Sequence, residues 1–214
     1  MKNVIKDNKV SFFVFSTSLF LIIMLSSLVI IYDELVIDKM VYSFLITNFS
    51  CDVIDIFMIN ITKLGNTEFV MLFTSIMFLV MLIALDKKTI SLSFVFSVMG
   101  IAFINQLLKF TVKRIRPNVN RLIEMGGYSF PSGHAMVSTV LYGLLSYIAY
   151  KFIKTKCLRN FIIFVNVLLI LLIGISRIYL GVHYFRDIMV GWLVSVLFLI
   201  IVINYLEKKV FSQN

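Results

Sequence analysis

The sequence predicts an all-α polytopic membrane protein. Six transmembrane helices form a bundle, and a helical segment lies along the membrane surface after the first span. Three observations carry this expectation. The mean hydropathy is +1.00 and only 14% of residues are charged, far from the averages of soluble domains. Six stretches without a charged residue come close to the roughly 20 apolar residues that cross a bilayer core. A soluble helical core does not need six such segments. Finally, no internal repeat, low-complexity tract or Gly/Ser linker divides the chain, so residues 1–214 read as a single membrane-embedded domain.

The first span is residues 11–32. Lys2, Lys6 and Lys9 precede it, as in a secretory signal, but its 22 uncharged residues exceed the usual apolar region of one. The following "SSLVIIYDEL" also offers no small-residue cleavage site, so a retained helix is expected. Residues 33–66 are punctuated by Asp33, Glu34, Asp38, Asp52 and Asp55 against Lys39 and Lys63. Within them "MVYSFLITNF" and "VIDIFMINI" suit helices lying along the outer surface, as a packing hairpin or as a guide for lipid. The remaining spans are 69–85, 89–108, 135–150, 160–176 and 188–206. Cys51 and Cys157 are too few for a disulfide framework and too far apart for a metal pair. The sequons at Asn48 and Asn60 are read as chance in a chain expected to be bacterial.

A cytoplasmic N-terminus puts 11 of the 20 basic residues inside and nine outside, a small positive-inside bias. Five of those nine, Lys109, Lys113, Arg114, Arg116 and Arg121, crowd into one loop. That loop either sets the orientation or carries charge for another purpose.

The other purpose emerges when the polar residues are assembled. The loop spanning 109–134 contains "KFTVKRIRP" and then "PSGH", while residues 176–187 read "SRIYLGVHYFRD". The chain between His134 and Arg177 is long enough to cross the membrane and return, so both loops share one face. Lys109 and Arg116, seven apart, stand about two helical turns from each other, and Arg177 adds a third cation. Convergent cations suit a phosphate and the charge of its transition state. Ser132 and Gly133 open an apolar helix. A serine cap, free N–H groups and the helix dipole attract an anion there, and glycine admits a close approach. His183 and Asp187, four apart, share a face if that stretch is helical. The carboxylate would then fix the imidazole tautomer and leave the other nitrogen as nucleophile or base. His134 remains as a proton donor. Each residue also has a plainer reading: an interfacial histidine, a snorkelling cation, a helix-start acid or a cap. With only two histidines in the chain, their meeting on one face favours chemistry.

K-x6-R-P at Lys109–Pro117, P-S-G-H at Pro131–His134 and S-R-x5-H-x3-D at Ser176–Asp187 resemble the type 2 phosphatidic acid phosphatase superfamily in order and spacing. The resemblance runs over about residues 109–192. It implies a metal-independent lipid phosphate phosphatase without a cofactor. His183 would form a phosphohistidine, Asp187 would orient it, and His134 would protonate the leaving group and then activate water. Lys109, Arg116, Ser132, Gly133 and Arg177 would hold the phosphoryl group. Phe185 and Arg186 depart from the smaller or uncharged residues often found there and are expected to tune access or head group. The expected partners are an amphiphilic lipid phosphate and membrane lipid, not nucleic acid, and the oligomeric state is open. Undecaprenyl diphosphate ranks first by analogy, ahead of phosphatidylglycerol phosphate and phosphatidic acid. A lipid-linked phosphotransferase and a non-catalytic lipid-binding or transport protein remain alternatives. The expected location is the cell membrane, multi-pass, with the site on the extracytoplasmic face.

Overall fold

A computed structural model describes residues 8–32, 34–85 and 87–211. Among them the chain forms eight α-helices and no strand: α1 Asn8–Ile31, α2 Val36–Phe49, α3 Asp52–Lys63, α4 Thr67–Ala84, α5 Lys88–Val112, α6 Gly133–Phe152, α7 Lys156–Tyr179 and α8 Phe185–Leu206. A single π-helical turn, Glu207–Phe211, continues α8. Helices α4 to α8 are each long and apolar enough to cross a membrane. Helices α1 and α2 pass the same test together, across a 94° bend, which brings the number to six if that pair is one span.

The observed helices outrun the uncharged stretches that predicted them. The span expected at 89–108 is a helix to Val112, because Lys109 ends an uncharged run but not a helix. The stop comes at Lys113, whose φ of 53° is left-handed and whose N–H closes on the Lys109 carbonyl at 2.9 Å. Such a residue after the last helical turn is an ordinary terminator. The apolar runs expected to be helical after the first span are α2 and α3. Both helices pack on the end of the bundle where α7 stops and α8 starts.

Helix α6 is the centre of the bundle and packs against α5, α7 and α8. Its Met136, Val140, Leu141 and Leu144 are buried with Phe94, Val98 and Ile101 of α5 and Ile173 of α7. The outer helix faces carry exposed Leu72, Ile83, Phe96, Phe103 and Phe164. Such faces are stable in lipid, because each helix satisfies its own backbone and apolar side chains meet acyl chains. At the far end from α7–α8, Lys151 pairs with Glu207 at 2.5 Å, and Tyr147 donates to the same carboxylate at 3.1 Å. This ties the turn after α8 to α6.

Candidate active site

Two turns build the site. Helix α7 ends at Tyr179, and the chain folds back so that the N–H groups of Val182 and His183 both donate to the Arg177 carbonyl at 3.2 Å. His183 therefore sits just before α8 rather than on it, 3% exposed. Asp187 lies in the first turn of α8. One of its oxygens accepts the Tyr184 N–H at 3.1 Å and faces His183 Nδ1 at 3.4 Å. The geometry is compatible with both the helix-start reading and the histidine-orienting reading of Asp187. A carboxylate beside Nδ1 keeps the proton on that nitrogen and leaves Nε2 with a lone pair.

That lone pair points at Arg116, whose Nη1 lies 3.2 Å from His183 Nε2 and also donates to the Val182 carbonyl at 2.7 Å. The rest of the Arg116 guanidinium is held by the carbonyls of Gly126 and Gly127. Here the expected two-turn helical face is corrected. Helix α5 has ended before Arg116, so the loop, not helical periodicity, brings Arg116 back toward Lys109. Burial and Arg121 pull the Arg116 guanidinium below its usual value while Asp187 opposes them, burial being the largest effect.

Arg177 is completely buried. Its Nη1 donates to Thr62 Oγ1 at 2.7 Å, while Nε and Nη2 have no hydrogen-bond partner among the described residues. A buried guanidinium edge without an acceptor is costly, and a phosphate would satisfy it. The cations surround His183: burial first, then Arg177, Arg116 and Lys109, hold its imidazole well below the ordinary value. His183 is therefore neutral at physiological pH.

Ser132 caps α6, its Oγ accepting from Ala135 N at 3.4 Å, and its own N–H donates to the Asp187 carbonyl at 3.2 Å. The first turns of α6 and α8 are thereby joined. Gly133 leaves no room for a side chain, since a Cβ there would lie 2.9 Å from Asn105 Oδ1. Asn105 uses its amide nitrogen on the Pro131 carbonyl at 3.0 Å and so fixes the approach to the cap. His134, in the first turn of α6, is half-buried, and its Nε2 lies 2.9 Å from Asn66 Oδ1.

All eight sequence-predicted residues thus converge at one end of the bundle. Several residues that sequence reasoning passed over are equally part of it. Arg114 bridges Asp187 at 2.6 Å and Asp38 at 3.3 Å, and its guanidinium lies 3.8 Å from the centre of the Tyr184 ring. Arg186 corrects another expectation. It does not tune access or head group: it is 1% exposed and binds Asp38 through Nε at 2.8 Å and Nη2 at 2.7 Å. It also donates to the carbonyls of Leu28 and Tyr32 at the end of α1. An acid inside a largely apolar segment was the available signal for Asp38, because such residues near a membrane seldom lack a partner. Thr62 and Asn66 gave no comparable signal.

Comparison with known proteins agrees with this geometry. The family model described as the PAP2 superfamily matches residues 90–211, which include every motif residue above. The chain belongs to the PAP2 superfamily. Phosphatidylglycerophosphatase B of Bacillus subtilis (strain 168) is 32% identical over 113 residues, which are 52% of this chain. That match covers 56% of the Bacillus protein, so the chain spans little more than half the length of this curated relative. Among PAP2 structures, the crystal structure of a transmembrane phosphatidylglycerolphosphate phosphatase from Bacillus subtilis superposes with a TM-score of 0.79 at 23% identity, over 89% of this chain and 94% of that one. LpxE of Aquifex aeolicus superposes with a TM-score of 0.66 at 24% identity, over 81% and 99%. At these identities the two structures establish the PAP2 membrane fold.

Proposed function

We propose that this PAP2 protein is a lipid phosphate phosphatase that works through a phosphohistidine at His183. The observation that carries the reading is the setting of that imidazole. It is buried and neutral, with Nδ1 on Asp187 and Nε2 against Arg116, while Arg177 keeps Nε and Nη2 without a hydrogen-bond partner among the described residues. Nε2 attacks phosphorus while the bond to the leaving oxygen breaks, and His134 gives that oxygen its proton. Water then attacks the phosphohistidine and returns a proton to His134. Lys109, Arg116, Arg177, the Ser132 hydroxyl and the Gly133 N–H balance the charge on the phosphoryl oxygens. These cations supply the neutralisation a metal would otherwise give, so on this reading the reaction needs no metal.

The substrate is amphiphilic, since the site opens among helices whose outer faces suit lipid. The named relative acts on phosphatidylglycerol phosphate, which supports testing that lipid alongside undecaprenyl diphosphate and phosphatidic acid. The site faces the extracytoplasmic side. Of the nine basic residues on its side of the membrane, Arg114, Arg116, Arg177 and Arg186 are buried. The charge left to meet lipid head groups is weighted further toward the opposite face than the bare sequence count implies.

Phosphate release from this lipid panel in detergent, with and without EDTA, tests the reading. Release should persist in EDTA, and His183→Ala should abolish both turnover and the trapped phosphoenzyme. His134→Ala should slow lipid phosphates more than p-nitrophenyl phosphate, whose leaving group needs no proton. Phosphate trapped on His134, or turnover by His183→Ala, would overturn the assignment.

A further inference from the structure

The corner between α3 and α4, residues 62–66, lies outside all three sequence motifs and outside the matched PAP2 segment, yet it touches two residues of the site. Thr62 accepts from Arg177, and the Asn66 amide oxygen lies 2.9 Å from His134 Nε2. Asn66 stands at the N-cap of α4, a position where asparagine ordinarily accepts the N–H of the second or third helical residue. Its side chain makes no such bond. The capping oxygen is instead directed at His134.

Two further contacts fix the corner against the histidine. A Cβ at Gly65 would lie 2.9 Å from His134 Cδ2 and 3.0 Å from Ile173, so only glycine lets the backbone press on the imidazole. Tyr142, two turns along α6 from His134, donates to the Leu64 carbonyl at 3.1 Å and fastens the corner to the same helix. Backbone packing on one side and an amide oxygen on the other define the ring's orientation.

We infer that Asn66 is a positioning residue for the proton donor His134. It fixes the tautomer as well as the orientation. This inference rests on the phosphatase reading above. An amide oxygen only accepts, so Nε2 carries the bound proton and Nδ1 is the nitrogen that exchanges one. In the first half-reaction Nδ1–H passes its proton to the leaving oxygen as the P–O bond breaks. The imidazole is left neutral, with Nε2–H still on Asn66. In the second, Nδ1 takes a proton from the water that attacks the phosphohistidine, and the imidazolium is restored. The charged groups facing His134 are Arg177 from α7, Lys109 from α5, Arg116 from the following loop and His183 from the turn before α8. All four are cationic or neutral, and Asn66 is the acceptor set against them.

The test uses the full-length protein in detergent, with Asn66→Ala and Asn66→Asp compared with wild type on p-nitrophenyl phosphate and on a lipid phosphate across pH. Asn66→Ala should slow the lipid phosphate by about 10-fold or more, a share of what a general acid contributes. In kcat/KM, which stops at departure of the leaving group, the aryl phosphate should change by less than about 3-fold, since that group gains little from the acid. Asn66→Asp sets a negative charge on the imidazolium and should move the basic limb of the profile to higher pH by about one unit. Equal slowing of both substrates with unmoved limbs would reduce Asn66 to a structural contact and overturn the inference, as would no change at all. Either result, with wild type active and His183→Ala inactive, leaves the phosphatase reading intact. A wild-type protein inactive on every lipid phosphate would instead remove that reading, and this inference with it.

Discussion

Asp38→Asn should be among the most destabilising single substitutions in the chain. Four charged side chains meet around this position: Asp38 and Asp187 against Arg114 and Arg186, all 4% exposed or less. The four sum to zero. Replacing Asp38 by its neutral isostere leaves two guanidinium groups and one carboxylate, a net positive charge away from water. Each contact at about 3–4 Å is worth roughly 4–5 kcal/mol at an effective dielectric near 20. The native desolvation cost offsets part of that, and removal of one partner from a buried pair typically costs about 3–5 kcal/mol. Asp38 also accepts the backbone N–H groups of Arg186 at 3.2 Å and Leu35 at 3.3 Å, which an amide oxygen can retain in part. The expected loss is therefore about 3–5 kcal/mol, read by thermal unfolding in detergent or by urea. Activity should fall as well, because Arg114 loses its contact with Asp38 and draws more strongly on Asp187, the carboxylate that faces His183. A loss below about 1 kcal/mol, the range of exposed ion pairs, would refute the buried-network account.

Stability should depend on pH through His183. Its folded-state value is depressed, so the unfolded chain takes up a proton below about 6.5 while the folded chain does not. The stabilisation is complete above that pH and is lost as pH falls below it, by up to about 1.4 kcal/mol per unit. His183→Gln should flatten the curve of melting temperature against pH between 7 and 5, and an unchanged slope would sink the assignment. Topology is open to labelling: in intact cells an impermeant thiol reagent should modify a cysteine introduced near residue 120 and spare one near residue 155. The opposite pattern would reverse the orientation. The exposed Cys51 and Cys157 need replacement first, and at opposite faces they should not pair in the wild type.

The candidate site was legible in the sequence wherever it gathers a rare residue type. Two histidines in an apolar chain, each beside a recognisable pattern, point to the site because no core role demands them. The spans were legible for a similar reason: a bilayer imposes length and apolarity on each of them independently. What stayed hidden depends on pairing across long separations. Asp38 meets Arg186 over 148 positions and Arg114 over 76, and no local pattern announces either partner. Arg186, three residues after a motif histidine, invited a substrate-facing reading. Its burial shows instead that it closes the end of α1. Thr62 and Asn66 are commoner still, since uncharged polar residues at helix ends are ordinarily just caps.

The competing readings of Ser132 and Asp187 turned out to be compatible, and the reason is physical. A helix start exposes unpaired N–H groups and the positive end of the dipole. The residue that caps such a start is necessarily next to the place where an anion binds. Here α6 and α8 begin side by side, joined by the Ser132 N–H on the Asp187 carbonyl. Asp187 holds the Tyr184 N–H with the same oxygen that faces His183. Each contact that starts a helix therefore also sets the position of a group in the proposed phosphate site. The plain structural role and the chemical role belong to the same atoms, so evidence for a cap at this end of the bundle does not count against catalysis.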